Sequence, residues 1–402
     1  MKDKLVRKNF KFFKVNKDTV YFDNNSSALK PKSVVDAVNY YNTHMSTNAG
    51  RGVYKLAYNV TKQIEDTRSL VADFLNASKK EIVFVKNTTE AFNLVLYSYL
   101  LNTLKKDDEI VISLLEHHSL YLPLAKAAKK TGAKLVYVPL NKQHKVTTQN
   151  LKKVISDKTK VVGLTYVSNI TGAKIPVKQL IKLAKQKGAI TLVDAAQAVP
   201  HFKVDVKDLN CDFLAFSGYK LGAPTGSAVL YGKYDLLKQM PPFMYGGGMV
   251  TDSTSKIIEY KDAPHKFEAG TQPISQIIGL KKAIEFLTLK VGYNYIQNKD
   301  AQLYSYLNEE LKKIKQVEIY NKDATIATVA FNIKGIHAHD IATAYDMYNI
   351  CVRAGHNCVQ PFIEYLNQAS TVRASLYFYN TKKEIDIFIK ATKKIIEYFN
   401  QF

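Results

Sequence analysis

Short apolar, β-branched runs alternate with segments of helical periodicity through the first half of the chain. Residues 81–85 and 189–193 are two of the runs, and between such runs lie amphipathic segments such as 180–187, which ends at Gly188. This alternation predicts a mainly parallel sheet that is covered by helices on both faces. In a sheet of this kind, functional residues collect just beyond the carboxyl ends of the strands.

The length of 402 residues leaves room for two domains, each with a core of its own. A composition of 46% hydrophobic and 23% charged residues is that of a globular protein. After about Gly279 a long helical stretch leads into a second α/β region. We therefore predict a large domain over residues 20–285, and a small α/β domain over residues 286–402 that also includes residues 1–19.

The chain is basic, with 57 Lys and Arg against 35 Asp and Glu and a formal charge of +22. Such an excess is compatible with nucleic acid, anionic lipid or an acidic protein partner. The basic residues, however, occur in short pieces such as Lys105-Lys106 and Lys312-Lys313, without a long basic arm. This distribution favours a lysine-rich surface, and a nucleic-acid-binding protein is the remote alternative.

The three cysteines form no CxxC pair, which argues against a disulfide framework and against a cysteine-only zinc site. Residues 1–20 lack the apolar stretch of a signal peptide. No segment approaches the ~20 apolar residues that a bilayer span needs. We expect a cytoplasmic protein that does not enter the membrane.

Polar side chains with a shared chemistry stand where the predicted strands end. Asp194 closes one strand, and Lys220 lies between another strand and a glycine-containing run. Taken singly, such an Asp is usually a helix cap and such a Lys a surface charge. Together they suit pyridoxal phosphate, which needs a lysine for its Schiff base and an acid beside its pyridine nitrogen. Residues 86–90, which run from a strand into a helix, offer hydroxyls and amides for its phosphate.

These features belong to a longer series of stretches that resembles the cysteine desulfurases of the SufS branch, or group II. That branch lies within the class-V aminotransferases, which are fold-type-I pyridoxal-phosphate enzymes. The stretches follow one another in the expected order and cover nearly the whole chain: Arg51-Gly52-Val53, Asn87-Thr88-Thr89-Glu90-Ala91, Glu116-His117-His118-Ser119, Val167-Ser168-Asn169, Val193-Asp194 to Pro200-His201, Phe216-Ser217-Gly218-Tyr219-Lys220-Leu221, Pro224-Thr225-Gly226, Phe267-Glu268-Ala269-Gly270-Thr271, Val352-Arg353 to Asn357-Cys358, and Arg373-Ala374-Ser375-Leu376. The resemblance implies a large domain with a seven-stranded, mainly parallel sheet between helices, and a smaller α/β domain that carries the cysteine loop.

The resemblance also implies a cofactor site. Lys220 would hold pyridoxal phosphate and shuttle the substrate Cα proton, while Asp194 would pair with the pyridinium nitrogen. His117 would lie against the ring and take part in catalysis. The remaining cofactor-binding residues would be Gln197 at the ring oxygen, and Thr88, Thr89, Ser217, Tyr219 and, from the other subunit of a dimer, Thr271 at the phosphate. Tyr219 replaces a histidine that is common in the family.

Cys358 stands in a polar loop, with His356 and Asn357 before it and Pro361 after it. By resemblance, its thiolate takes sulfur from L-cysteine and leaves L-alanine and a Cys358 persulfide. Asn357 replaces the second histidine of the common His-His-Cys pattern. The substrate would be bound by Arg373 and Asn169, which hold its carboxylate, and by Arg353.

The resemblance further implies a homodimer and a sulfur-acceptor protein, with the sulfur passing to iron–sulfur cluster assembly; whether it also reaches tRNA thiolation is left open by the sequence. A histidine matching His339 takes part in docking among relatives that serve a zinc-bearing scaffold, so a SufU-like scaffold is favoured over a SufE-like carrier. The alternatives with the same Lys220–Asp194 apparatus are a selenocysteine lyase and a related aminotransferase. An aminotransferase would have no need of Cys358.

Overall fold

The protein alternates strands and helices along its whole length in a computed structural model that describes residues 2–50, 52–321 and 323–401, apart from the side chain of Lys2. The strands are β1 (Val20–Tyr21), β2 (Ile82–Val85), β3 (Glu109–Ser113), β4 (Lys134–Val138), β5 (Thr159–Thr165), β6 (Ile190–Asp194), β7 (Phe213–Ser217), β8 (Ala228–Gly232), β9 (Val250–Ser253), β10 (Ile258–Tyr260), β11 (Val317–Ile319), β12 (Thr328–Ile333), β13 (Ile350–Cys351), β14 (Arg353–Gly355) and β15 (Thr371–Ser375).

The α-helices fill the intervals between the strands: α1 (Lys2–Arg7), α2 (Phe12–Val15), α3 (Lys32–Tyr40), α4 (Lys55–Leu75), α5 (Thr88–Val95), α6 (Leu101–Thr103), α7 (His118–Thr131), α8 (Thr148–Lys152), α9 (Val177–Gln186), α10 (Val206–Leu209), α11 (Tyr234–Gln239), α12 (Ile274–Glu285), α13 (Tyr293–Lys312), α14 (Ala338–Asp346), α15 (Gln360–Tyr365) and α16 (Lys382–Phe399). Short 3₁₀ or π turns cover Tyr41–Met45, Lys79–Glu81, Leu96–Leu100, Gly218–Leu221, His265–Phe267 and Phe286–Val291. Within the described ranges, no helix combines the length and apolarity that a membrane span requires.

Seven strands of the described chain form the central sheet, in the order β2-β8-β7-β6-β5-β3-β4. The strands from β7 to β4 run parallel, whereas β8 is antiparallel to both of its neighbours. Every residue of β7 and β8 is buried, because helices cover both faces of the sheet. The predicted seven-stranded, mainly parallel sheet is therefore confirmed.

The strand directions bring the predicted site residues to one edge of this sheet. Asp194 is the last residue of β6 and Ser217 the last residue of β7, and the chain leaves β3 at Ser113 shortly before His117. β2 opposes β8 and so runs in the same direction as β7, which places its end, before Thr88, at the same edge. The carboxyl edge of the sheet is thus where the chemistry-bearing side chains collect.

A second, four-stranded antiparallel sheet lies in the C-terminal part of the chain, in the order β11-β12-β15-β14. It packs with α13, α14 and α16 around its own apolar cluster, which includes Phe331, Tyr345 and Phe388. Arg373 lies on β15, and the loop that carries Cys358 follows β14. This sheet therefore supplies two of the predicted site residues from the side opposite the central sheet.

The N-terminal helices pack mainly against the C-terminal part of the chain. The ring of Phe10 lies 5.7 Å from that of Phe286 and 4.6 Å from that of Tyr379, and Arg7 pairs with Glu384 at 3.0 Å. The first strand, β1, pairs in parallel with β13. The division of the chain at residues 20 and 286 stays a prediction.

A buried ion pair between Arg68 and Glu268 connects α4 to the segment that precedes Thr271. Arg68 donates two hydrogen bonds to the carboxylate of Glu268, at 2.7 and 2.8 Å, and a third to the carbonyl of Ile82 at 2.8 Å. The same carboxylate accepts a hydrogen bond from the amide of Phe84 at 2.8 Å. One pair therefore ties together α4, β2 and the 267–271 segment.

Replacing Arg68 by Met should lower the free energy of unfolding by about 3–5 kcal/mol, because the carboxylate of Glu268 is left buried without its cation. Urea denaturation measures this difference. The matched control is Lys62→Met on the same helix, which breaks an exposed pair with Asp66 and should leave the midpoint unchanged. Equal midpoints for Arg68→Met and the wild type would contradict the stabilising role of the pair.

Candidate active site

A depression of about 560 Å³ opens at the carboxyl edge of the central sheet, where the second sheet approaches it. Seven of the residues predicted for the site line it, together with Asn25, Ser26, His118, His356 and Asn357; the seven are His117, Asn169, Tyr219, Lys220, Arg353, Cys358 and Arg373. They come from five of the matching stretches of sequence, between residues 117 and 373. The fold therefore gathers the predicted catalytic and substrate-binding residues into one place.

Two hydroxyl groups meet at the start of α5, where the cofactor phosphate is predicted. The hydroxyls of Thr88 and Ser217 lie 2.7 Å apart, and the amide of Thr88 donates to Ser217 Oγ at 3.0 Å. The side chain of Asn87 caps the helix by accepting from the amide of Glu90, so neither threonine is needed as the cap. Thr89 is exposed, and Tyr219 shares a side-chain hydrogen bond with Ser217. These groups can donate to a phosphate.

Lys220 lies in the turn that follows β7 and is buried. Burial lowers the pKa of its amine and the positive charge of Arg373 adds to this, while the charge of Asp194 opposes it. Asp194 is also buried; its Oδ1 accepts from the amide of Ala196 at 2.9 Å and its Oδ2 from the hydroxyl of Ser119 at 3.0 Å. Its pKa is raised, chiefly by burial. The result is an amine shifted toward its neutral, nucleophilic form, with an oriented carboxyl group in electrostatic range.

His117 caps the N-terminus of α7, and its Nδ1 accepts a hydrogen bond from the amide of Ser119 at 3.1 Å. Burial lowers the pKa of the imidazole to about 3, and the charges of Lys220, His118 and Arg373 act in the same direction. The ring is therefore neutral at physiological pH, and its orientation is fixed from the backbone.

Arg373 is held on the other wall by groups from the N-terminal segment. It donates to the hydroxyl of Ser26 at 2.7 Å, to the carboxylate of Asp23 at 3.3 Å and to the carbonyl of Asn169 at 3.2 Å. Its Nε is buried and has no acceptor among the described residues. Burial lowers the pKa of the guanidinium to about 10, with Asp23 opposing this shift, so the side chain remains a cation with one donor to spare. Arg353 pairs with the same Asp23 at 2.9 Å.

Asn169 and Gln197 are held by polar contacts with neighbouring segments. The side chain of Asn169 donates to the carbonyl of Asn357 at 2.9 Å, and its own carbonyl accepts from Asn25 at 3.0 Å. Gln197 is buried and donates to the carbonyl of Asn25 at 2.9 Å. Both residues thus belong to the frame of the depression, although Gln197 does not line it.

Neither Thr271 nor His339 lines the depression in this chain. Thr271 is exposed and lines a separate cavity with Lys86 and Glu90. His339 is exposed at the start of α14. It lies close to Gly355, because its Nε2 would be 3.7 Å from a Cβ atom built on that glycine. His337 caps α14, and Asp340 lies in its first turn. Arg51, which belongs to one of the matching stretches, lies outside the described residues.

Several residues of the site carried no prediction from the sequence. Asp23, Asn25 and Ser26 belong to a polar run shortly after β1. This run is the only feature of the sequence that could have pointed to them. Glu116 stands beside His117 in a matching stretch but had no role assigned to it. Its carboxyl group is buried; Oε1 accepts from the hydroxyl of Ser113 at 2.7 Å, and Oε2 has no partner in the described part of the chain. Burial, with the charge of Asp194 adding to it, raises the pKa of Glu116 to about 8.

The sequence profile of the class-V aminotransferases matches residues 20–388. This chain belongs to the class-V aminotransferase family. Among the curated relatives of this class-V aminotransferase is the probable cysteine desulfurase of Halalkalibacterium halodurans, which is 42% identical over 386 residues that cover 94% of each protein. The probable cysteine desulfurase of Synechocystis sp. is 40% identical over 386 residues, covering 95% of this chain and 92% of that protein.

Solved structures agree with this assignment. The apo structure of the cysteine desulfurase from Thermococcus onnurineus NA1 superimposes on this class-V aminotransferase with a TM-score of 0.93, at 36% identity and over 98% of both chains. The S-sulfonic acid form of the cysteine desulfurase CsdA from Escherichia coli gives a TM-score of 0.92 at 34% identity, also over 98% of both chains. The predicted fold-type-I architecture is confirmed.

The buried carboxyl group of Glu116 should make the stability of this class-V aminotransferase depend on pH. The pKa of Glu116 is about 8 in the folded protein, against an ordinary value of 4.5. Between these two values the folded state keeps a proton that the unfolded state loses. The contribution of Glu116 to the free energy of unfolding therefore falls as the pH rises. Glu116→Gln cannot ionise and should gain roughly 2–4 kcal/mol relative to the wild type between pH 5 and pH 8. Urea denaturation at both pH values measures the gain. If the free energies of unfolding of Glu116→Gln and the wild type differed by the same amount at both pH values, this would contradict a neutral Glu116.

Proposed function

We propose that this protein is a pyridoxal-phosphate-dependent cysteine desulfurase that converts L-cysteine to L-alanine and a persulfide on Cys358. The observation that carries the proposal is that Lys220, Arg373 and Cys358 line one depression. A buried amine, a guanidinium with a spare donor and an exposed thiol are the groups that this reaction requires. Curated relatives of that name, 39–42% identical over more than nine tenths of each protein, support it.

The residues present fit pyridoxal phosphate. When bound, this cofactor supplies an electron sink for the carbon atoms of an amino acid. Lys220 would bind it covalently, and the carboxylate of Asp194 would hold the proton on its ring nitrogen. The other residues proposed to hold it are His117 against the ring, Gln197 at the ring oxygen, and Thr88, Thr89, Ser217 and Tyr219 at the phosphate.

The substrate would be oriented by its carboxylate. The buried Nε of Arg373 has no acceptor among the described residues, and the guanidinium remains charged because its pKa is lowered only to about 10. An amino-acid carboxylate would pair with this guanidinium, because Arg373 lines the depression, with Asn169 beside it and Arg353 at the rim. The amine of Lys220, whose pKa is lowered by burial, is then available to take the proton from the substrate Cα and to return a proton to the product.

Cys358 would receive the sulfur. Its thiolate attacks the substrate sulfur, so that an S–S bond forms as the substrate C–S bond breaks and the Cβ gains a proton. The products are L-alanine and a Cys358 persulfide, and no external oxidant or reductant is needed. The guanidinium groups of Arg353 and Arg373 both interact electrostatically with Cys358, and they attract an anionic sulfur. Cys358 is exposed, so an acceptor can reach the persulfide.

Replacing Cys358 by Ala should reduce alanine formation from L-cysteine by about 100-fold or more, because no other thiol lines the depression. Alanine and sulfide are measured with dithiothreitol as the acceptor. The matched control is Cys351→Ala, which removes a half-buried thiol outside the depression and should keep the wild-type rate. Full alanine formation by Cys358→Ala would contradict the proposed acceptor and would favour a lyase that does not depend on this cysteine, such as the alternative selenocysteine lyase.

Replacing Lys220 by Ala should abolish the visible absorbance of the bound cofactor and all alanine formation, because no covalent attachment can form. Absorbance spectra after addition of pyridoxal phosphate and gel filtration measure the first effect. Lys30→Ala is the matched control, since it removes another partly buried lysine that does not line the depression. A wild-type protein that binds the cofactor but forms no alanine would contradict the desulfurase assignment.

We further propose a homodimer, in which Thr271 reaches the cofactor phosphate of the partner subunit. Supporting this, large apolar side chains are exposed on two segments of the chain, residues 53–58 and the region of the β9–β10 hairpin: Val53, Tyr54, Leu56 and Tyr58 on the first, and Met244, Tyr245, Ile257, Ile258 and Tyr260 on the second. Exposed apolar surface of this kind marks sites of protein association.

For the sulfur acceptor we propose a SufU-like zinc scaffold ahead of a SufE-like carrier, with the sulfur directed to iron–sulfur cluster assembly in the cytoplasm. The exposed His339, close to Gly355 at the start of the cysteine loop, supports docking at the mouth of the depression.

A further inference from the structure

The cysteine loop contains two adjacent residues in left-handed backbone conformation. Asn357 has a φ of 51° and Cys358 a φ of 56°, and Gly355 just before them has a φ of 115°. The other described non-glycine residues with a φ above 50° are Asn, Asp or His, the types that tolerate this conformation best. Cys358 is the exception, so its conformation must be imposed by its surroundings.

Both strained residues are held through their carbonyl oxygens. The carbonyl of Asn357 accepts from the side chain of Asn169 at 2.9 Å, and the carbonyl of Cys358 accepts from the amide of His118 at 2.9 Å. Both donors come from the loops at the carboxyl edge of the central sheet. The backbone of the cysteine loop is therefore clamped across the depression to the wall that carries Lys220.

The side chain of Asn357 closes the loop on itself. Its Nδ2 donates to the carbonyl of Gly355 at 3.1 Å, whereas its Oδ1 is buried and accepts no hydrogen bond from the described residues. A buried acceptor without a partner lowers stability. Asparagine is therefore not the residue that would make position 357 most stable. Residues that serve a functional site often show such a loss of stability.

We propose that Asn357 is a positioning residue that holds Cys358 in its left-handed conformation and so directs the thiol at the substrate sulfur. This inference rests on the proposed function, because that function supplies the reaction in which the Cys358 thiolate attacks the substrate sulfur. Two properties of asparagine serve it: the side chain tolerates a positive φ, and the amide is short enough to reach Gly355 within the same loop. The histidine of the common family pattern does not offer the same amide donor.

Two variants separate these two properties. Asn357→Gly keeps the backbone freedom and loses the amide, whereas Asn357→Ala loses both. The matched controls are Asn367→Gly and Asn367→Ala, because Asn367 has a φ of 54° and is exposed outside the depression. Each protein is loaded with pyridoxal phosphate and assayed with L-cysteine, and its melting temperature is recorded.

We expect kcat to fall about 10- to 100-fold in Asn357→Ala and less in Asn357→Gly, because a misplaced nucleophile slows the transfer step. KM for L-cysteine and the cofactor spectrum should stay at their wild-type values, and the Asn367 variants should keep the wild-type kcat. Equal kcat in all variants would overturn the inference. So would a fall in kcat that is matched by the loss of cofactor absorbance or by equal losses in the Asn367 variants, since that would show a general structural effect.

A second measurement needs no turnover. Iodoacetamide alkylation of Cys358, followed by mass spectrometry with Cys351 as the internal reference, should be about threefold faster in Asn357→Ala because the thiol is released from its fixed position. An unchanged alkylation rate would overturn the positioning role. If the wild type formed no alanine while the alkylation rates still differed, the proposed function would fail and the positioning role would stand.

Discussion

Several ionisable groups are buried at one edge of the central sheet, and the rest of the site is arranged so that their charges are paired or neutralised. Lys220, Asp194, Glu116 and Arg373 are all buried there, and each charge is unfavourable unless it is paired or neutralised. The fold meets this requirement in different ways. Arg373 is paired with Asp23, Glu116 keeps its proton at neutral pH, and the pKa of Lys220 is lowered. The site therefore holds few uncompensated charges among its buried groups, and this suits the zwitterionic amino acid proposed as its substrate.

The parts of this site that the sequence predicted are those fixed by strand ends. Asp194 and Ser217 are the last residues of β6 and β7, and the apolar runs that define those strands are visible in the sequence. Parallel pairing then places their ends at one edge without further information. The polar loop around Cys358 was also visible in the sequence, and Cys358 is exposed. Cys211, which stands between Asn210 and Asp212, is buried, and burial raises its pKa to about 12.

The parts that the sequence did not predict depend on contacts between distant segments. Asp23 and Ser26 reach Arg373 across about 350 residues of chain, because β1 pairs with β13 and Asp23 bridges to Ser375. No local pattern encodes such a pairing. The same holds for Glu116, whose neutral state depends on the burial of a carboxyl group between β3 and Asp194. Even the cap of α5 required the structure, since only the side-chain geometry shows that Asn87 leaves both threonines available.

The second sheet sets the relation between Arg373 and the cysteine loop. Arg353 on β14 and Arg373 on β15 are directly paired in the antiparallel register, so the residue proposed to bind the substrate carboxylate lies beside the strand that leads to Cys358. A register shift of one residue would turn the side chain of Arg373 to the opposite face of the sheet and would change its distance to the cysteine loop. Because the Asp23–Ser375 bridge and the β1–β13 pair reinforce this register, the N-terminal segment contributes to the site without lining most of it. The placement of Arg373 relative to Cys358 is therefore a property of strand register, and in the proposed sulfur transfer the loop would add only the final orientation of the thiol.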